Sequence, residues 1–241
     1  KYNIRIVNMS IGDDEACSYK ESEVDILAER LVEAGIVVIA AVGNNENDSI
    51  KPPANALNVI SIGGVDDENT FTRSPGKLYH SNYGRTVDGL MKPELLAHAI
   101  WIAAPILPGT REHAESKALH AILEAGDADI RSVLRKEHAK TQLGEEIGNC
   151  ADTAGIRKLI VHRIQQCKYI SPDYMHVDGT SFAAPIVCAV IAQLLEAEPS
   201  LTPAMIRNTL FSTAMRLEGL PAERQGYGLV QPRRSLLKIL K

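Results

Sequence analysis

From His176 to Ala214 the chain reads HVDGTSFAAPIVCAVIAQLLEAEPSLTPAMIRNTLFSTA, a Gly-Thr-Ser turn running straight into a long apolar stretch. This segment restricts the fold most, because a helix so uniformly apolar has to be covered by other layers of structure. Ile186 to Leu195 is expected to be buried. Gly179 allows a close backbone approach and Thr180 stands where it can cap the helix. Ser181 then falls in the first turn, where free N–H groups and the helix dipole favour developing negative charge. Ala183 and Ala184 keep that turn thin, and Pro185 is tolerated because early helical N–H groups have no intrahelical partner to lose. A Gly-Thr-Ser tripeptide alone would read as an ordinary helix cap. The seven-residue run GTSFAAP favours a different reading, in which Ser181 is an acyl-transfer nucleophile.

The rest of the chain alternates strand and helix. Ile4 to Met9, Ile36 to Val42, Val59 to Gly63 and Ile100 to Ala104 are short apolar, β-branched runs, and Glu21 to Ala34 has helical periodicity ending at Gly35. The pattern predicts an α/β fold, a parallel sheet with helices on both faces. With 241 residues, 45% of them hydrophobic, the chain can bury a sizeable core, and its formal net charge of −4 gives no reason to expect a nucleic-acid partner. No apolar run is read as a membrane span, so no membrane partner is expected. Cys17, Cys150, Cys167 and Cys188 show no metal-ligand spacing; they are read as free thiols, with Cys188 a small hydrophobe on the apolar helix, which points to a reducing, cytoplasmic compartment.

Further segments carry a family resemblance. RIVNMSIG (Arg5 to Gly12), IVVIAAVGNN (Ile36 to Asn45), PPANALNVISIGGVD (Pro52 to Asp66), SNYG (Ser81 to Gly84) and KPELLAHAIWIAAP (Lys92 to Pro105) stand in order before the serine segment and the closing GYGLVQPRRSL. Together they resemble the subtilisin-like serine proteases, the subtilases, over about three quarters of the chain. The resemblance implies a subtilisin-like three-layer α/β fold and a serine endopeptidase acting through an acyl-enzyme on Ser181. It implies that Asn44, in the VGNN turn, and the Ser181 backbone N–H form the oxyanion hole. On chemistry alone an Asn-rich turn is usually only a turn; here it follows an apolar strand, at the end where open α/β folds place ligands. Ser10, Ile11 and Gly12 match the edge that pairs with an extended peptide substrate, and Ala41, Val42 and Gly43 match a wall of the pocket for the side chain before the scissile bond. That uncharged wall suggests apolar side chains there. The resemblance also implies a cis bond at Pro52-Pro53. Subtilases commonly bind calcium, but Asp13, Asp14, Glu15 and Asp66, Asp67, Glu68 form no recognisable ligand loop, and neither metal nor other cofactor is predicted.

The chain departs from the family in two ways. Neither a DxG-type aspartate turn nor an HGT-type helix start is present, and Lys1 to Gly12 resembles a segment that follows both in subtilases. The expectation is a C-terminal part of a catalytic domain whose fold is incomplete at the N-terminus. Its partners would be the missing N-terminal part, bringing the triad Asp and His, and a peptide or protein substrate. Without a base Ser181 is a poor nucleophile, so this chain alone is expected to show little hydrolysis. His98, in LAHAI where subtilases usually read Ala-Pro-Gly, is the oddest of seven histidines and is read as structural. The second departure lies between Thr110 and Ser171, where about sixty residues with helical patterning replace a short connection. This divides the chain into a catalytic part over 1–110, a helical insertion over 111–170 and a catalytic part with the nucleophile helix over 171–241. Arg111 to Glu124, Ala128 to Lys140 and Thr153 to Cys167 read as the insertion's helices, with breaks at Gly126 and from Gly144 to Asn149. The insertion is either a lid or docking surface, or a decoration with no role in cleavage. Two other functions stay open: a catalytically silent peptide-binding module or remnant, and a subtilase-like macrocyclase that passes the acyl group to an amine.

Overall fold

Short runs rich in valine and isoleucine become strands here because both of their faces find apolar cover. The structure is a computed structural model that describes residues 2–70, 76–144, 147–148, 150 and 152–240. It divides into two compact units, one from Ile102 to Val177 and one made of the residues on either side of it. The larger unit holds β1 (Ile6–Met9), α1 (Glu23–Glu33), β2 (Val37–Ala41), β3 (Ile60–Asp66), β4 (Lys77–Leu78), β5 (Gly84–Arg85), β6 (Met91–Lys92) and β7 (Leu95–His98). The smaller holds β8 (Ile102–Pro105), α2 (Arg111–Glu124), α3 (Ile130–Glu137), α4 (Thr153–Gln166), β9 (Tyr169–Ser171) and β10 (Tyr174–Val177). The chain then returns to the larger unit with α5 (Thr180–Ala197), α6 (Pro203–Thr213), α7 (Ala222–Gln225) and α8 (Pro232–Ile239).

In the larger unit β1, β2, β3 and β7 lie side by side and parallel, and β4 adds to the end of β3 antiparallel. Alternate residues of β2 serve two cores. Val37, Ile39 and Ala41 pack with Ala183, Val187, Ile191 and Leu194 of α5 and with Ile206 and Leu210 of α6. Val38, Ala40 and Val42 pack with Ala28 of α1 and with Ile50, Ala54 and Val59. A strand covered on both faces reads as a continuous apolar run, and burying each Val or Ile contributes about 1.5–3 kcal/mol. The sheet is therefore the middle of three layers, as the α/β reading requires. At α1 the Ser22 side chain accepts from the Asp25 N–H, and Gly35, at φ 87°, turns the chain out of the helix into β2.

Three expectations are corrected. The fourth strand of the main sheet is β7, whose Leu95, Leu96 and Ala97 are fully covered, whereas the Ile100 to Ala104 run becomes β8 of another sheet. Close packing also carries β3 on to Asp66: a Cβ at Gly64 would stand 2.3 Å from the Ala99 Cβ, so only glycine fits there. The apolar helix is not buried throughout. Val187, Val190, Ile191 and Leu194 are covered, but Ala189 and Ala192 are exposed, because only one side of α5 meets the sheet. Finally, α5 does have the length and composition to cross a membrane, at 18 residues and a mean hydropathy of 1.6; here its apolar stripe is core. The Pro52-Pro53 bond is cis as expected, and Lys92-Pro93, which was not anticipated, is cis too.

The smaller unit has its own core. β8, β10 and β9 form an antiparallel sheet in that order, and α2, α3 and α4 bring Leu119, Ile122, Ile130, Leu134, Ile156 and Ile160 together beside Tyr169. Thr110 and Asp152 cap α2 and α4 by accepting from the N–H groups of His113 and Gly155. The second helix is shorter than its pattern. A turn closed by Asp129 and Ile130 N–H groups on the Gly126 carbonyl delays its start, and a 3-10 turn over His138–Lys140 replaces its end. The break from Gly144 to Asn149 lies partly outside the described residues. Glu115, buried on α2, accepts from the Arg163 side chain at 2.9 and 3.3 Å, the Gln142 N–H at 3.0 Å and the Tyr169 hydroxyl at 3.3 Å.

Candidate active site

The carboxyl end of β2 and the first turn of α5 meet because parallel strands deliver their following loops to one edge of the sheet. At this edge a cavity of about 270 Å³ is lined by Ser10, Ile11, Gly12, Ala41, Val42, Gly43, Asn44 and Ser181. All eight residues singled out in the sequence come together in it. Asp13, Asn45, Asp48, Lys51, Asn82 and Thr180 complete the lining.

Thr180 does not cap the helix, contrary to expectation. The N-cap position belongs to Gly179, at φ 132° and without a side-chain bond, and its N–H donates to the Ala99 carbonyl at 2.6 Å. Thr180 is instead spent on the turn after β2. Its N–H donates to Asn44 Oδ1 at 2.8 Å, its hydroxyl donates to the same oxygen at 3.0 Å, and the Gly43 N–H reaches the hydroxyl at 3.3 Å. These bonds fix which end of the Asn44 amide is which. Oδ1 faces Thr180, so Nδ2 is the end left over, and it makes no hydrogen bond among the described residues. The Ser181 N–H and Oγ are likewise without partners there. Three unspent groups, a hydroxyl and two donors, thus belong to two residues that line one cavity. That is what stabilising an oxyanion on a carbonyl attacked by Ser181 demands.

The strand-edge residues lie just beyond β1. Ser10, Ile11 and Gly12 are exposed and make no backbone–backbone hydrogen bond among the described residues, leaving their peptide groups open to an added strand. The Ser10 hydroxyl accepts from Asn8 Nδ2 at 3.1 Å and donates to the Ser181 carbonyl at 3.2 Å, tying this edge to the backbone of Ser181. The apolar character expected of the pocket holds for only one wall. Lys51 pairs with Asp48 at 2.9 Å in the same lining, which holds the Asp48 carboxyl below its usual range, and Asp13 adds a further carboxylate.

Among the described residues no histidine lines the cavity. His80 Nδ1 is 2.8 Å from the Asn44 carbonyl, and His113 Nε2 is 2.8 Å from Asp173 in the smaller unit. His98 Nδ1 is 3.2 Å from Asp67 Oδ2, an ion-pair distance without hydrogen-bond alignment. The acidic runs are taken up in turns: Asp66 and Asp67 accept from the N–H groups of Glu68 and Asn69, and Asp13 accepts from that of Asp14. Among the described residues no three His, Cys, Asp or Glu side chains gather in a way that could hold a metal ion. None of the four cysteines is in a disulfide; burial pushes the Cys188 thiol up to about 11. Sequence reasoning missed Thr180 as the partner of Asn44 and gave no role to Asn82. The signal for the second was the SNYG motif, quoted above only as a family marker.

The chain matches the model described as the Subtilase family over residues 1–228. It is similar to Serine protease AprX of Bacillus subtilis (strain 168), with 26% identity over 213 residues, 86% of this chain and 37% of that protein. Among solved structures it is similar to the prenylagaramide maturation protease PagA, with a TM-score of 0.57 and 19% identity over 98% of this chain and 62% of that one. It is also similar to fervidolysin from Fervidobacterium pennivorans, a keratinolytic enzyme related to subtilisin, with a TM-score of 0.57 and 22% identity over 97% of this chain and 26% of that one. At these identities the structural likeness speaks to the fold. The chain spans about a third of the length of the AprX relative.

Proposed function

The chain belongs to the subtilase family, and from that premise we propose that it carries the nucleophile and the oxyanion hole of a serine endopeptidase. Ser181 Oγ attacks the carbonyl carbon of the scissile peptide, and its proton passes to a histidine supplied, with the triad aspartate, by residues outside this chain. The carbonyl oxygen, now anionic, accepts from Asn44 Nδ2 and the Ser181 N–H. Collapse of the tetrahedral species breaks the C–N bond, the protonated base gives its proton to the leaving amine, and water then releases the acyl group from Ser181. The substrate backbone lies along Ser10 to Gly12, and the side chain before the scissile bond enters between Ala41–Gly43 and the Asp48–Lys51 pair. One observation carries the reading. Thr180 pins Asn44 Oδ1, so the amide end facing away from Thr180 is a donor, at the cavity that also holds Ser181.

The absence of any histidine from the lining supports the second part of the proposal, that this chain alone hydrolyses peptides poorly. Residues 111–170 are proposed to be an insertion into the catalytic domain. Peptide hydrolysis tests the reading in two samples, the chain alone and a polypeptide that also supplies an acid and a base. The reading predicts turnover only in the second, lost with Ser181→Ala. Robust turnover by the first would overturn the assignment of the base, and a cyclic product without added water would replace hydrolysis by transfer to an amine.

A further inference from the structure

The residues of the SNYG motif take no part in the reaction as written, yet they hold the turn that presents Asn44. Ser81, buried, accepts from the Gly64 N–H at 2.8 Å and anchors the segment to β3. On its two sides the segment grips the turn. His80 Nδ1 meets the Asn44 carbonyl at 2.8 Å. The Asn82 N–H donates to the Gly43 carbonyl at 3.3 Å, Asn82 Oδ1 accepts from the Asn45 N–H at 2.9 Å, and Asn82 Nδ2 donates to the Ser49 carbonyl at 2.8 Å. Asn82 is 4% exposed. It therefore bonds the residues immediately before and after Asn44 and closes the loop from 43 to 49 on itself.

We propose that Asn82 is a positioning residue for the oxyanion donor, acting through Asn44 rather than on the substrate. The proposal rests on the assignment of Asn44 made above. A donor stabilises an oxyanion only when held within about 0.5 Å of its place, and a loop peptide bonded only to its own neighbours does not meet that tolerance. Thr180 and His80 hold Asn44 itself from other segments of the chain, and Asn82 adds the restraint on the peptides before and after it. The fit is close: a Cβ on Gly43 would stand 2.5 Å from Asn82 Oδ1, so the glycine lets the turn lie against this amide. A serine in place of Asn82 could not span both Asn45 and Ser49, and an aspartate would keep the acceptor for Asn45 and lose the donor to Ser49.

A double-mutant cycle reads this directly, in a polypeptide that supplies the acid and the base. Asn82→Ala is expected to lower kcat roughly tenfold to a hundredfold with KM within about twofold, and Asn82→Asp to fall between it and the parent. In an Asn44→Ala background Asn82→Ala is expected to cost less than about threefold, since the group it positions is gone. Equal losses in both backgrounds would overturn the proposal, as would an unchanged kcat. Asn44→Ala without effect on kcat would instead remove the assignment on which it rests. A second measurement needs no activity: amide exchange at Asn45 in this chain is expected to quicken at least about tenfold in Asn82→Ala. Unchanged exchange would show that the grip does not exist.

Discussion

The two units treat buried polar groups in opposite ways. In the smaller unit Glu115 is saturated: a guanidinium, an amide N–H and a phenol hydroxyl converge on it. Burial alone would raise its pKa, but these partners outweigh burial and hold the carboxyl below the usual range; burial with the neighbouring Glu115 charge pushes the Tyr169 hydroxyl above its own. In the larger unit the polar groups around the cavity are divided. Asn44 Oδ1, Thr180 and Asn82 are hydrogen-bonded, whereas Ser181 Oγ, the Ser181 N–H and Asn44 Nδ2, on residues that line the cavity, have no partner among the described residues. A saturated cluster rigidifies; groups left unpaired at a cavity are available to a ligand. Asp25 is a third case, an acid with 0% exposure whose two oxygens make no well-aligned hydrogen bond among the described residues, with the Ser22 and Asn55 side chains near enough only to offset part of the effect of burial. Its environment resembles neither of the others.

Asp25 therefore gives the largest test of the contrast. Burial above all pushes its pKa up to about 7. The folded state then holds a proton that the unfolded chain releases near pH 4, so this contribution to stability is complete below pH 4 and lost as pH rises to about 7. The loss over that window is up to about 4 kcal/mol. An amide at this position has no such proton, and the stability of Asp25→Asn, followed by urea unfolding from pH 4 to 8, is expected to stay flatter than the parent's. Next comes a group unpaired for use. Asn44→Ala is expected to lower kcat by roughly 10²–10³ in a polypeptide with acid and base, about 3 kcal/mol of barrier, with little change in unfolding midpoint. A loss of stability without a loss of rate would put Asn44 with Glu115 instead. For the saturated cluster, Glu115→Gln is expected to cost about 2 kcal/mol in stability and nothing in turnover beyond that. The smallest effect is at a paired group on the surface of the core: Ser22→Ala removes the cap of α1 and is expected to cost about 1 kcal/mol by thermal unfolding.

These residues also show what a sequence discloses. The Gly-Thr-Ser turn at the head of the apolar helix, the strand before Asn44 and the helix ends at Arg111 and Gly35 were legible because each follows a local rule: a helix start, a glycine, an apolar run. All eight site residues lie at one cavity for the same reason, since parallel strands bring their carboxyl ends to one edge. The partnerships were not legible. Thr180 with Asn44 spans 136 residues and Asn82 with Asn45 spans 37, and no local pattern encodes which distant amide will satisfy a given oxygen. The Ile100 to Ala104 run was assigned to the wrong sheet for a related cause. Apolar periodicity reports that a strand is covered, and Leu95 and Leu96 within KPELLAH carried the same signal for the strand that joins β3. The charged side of the pocket was missed because Asp48 and Lys51 lie in a polar turn that reads as solvated surface.

The central claim is that Ser181 is the nucleophile of this site. Its most direct test is covalent labelling of the polypeptide that supplies acid and base with a peptidyl phosphonate ester, followed by mass mapping of the modified residue. The account predicts one label, on the peptide containing Ser181, absent from Ser181→Ala and formed at least about tenfold more slowly in Asn44→Ala. A label on another residue, or peptide turnover that survives Ser181→Ala, would contradict it.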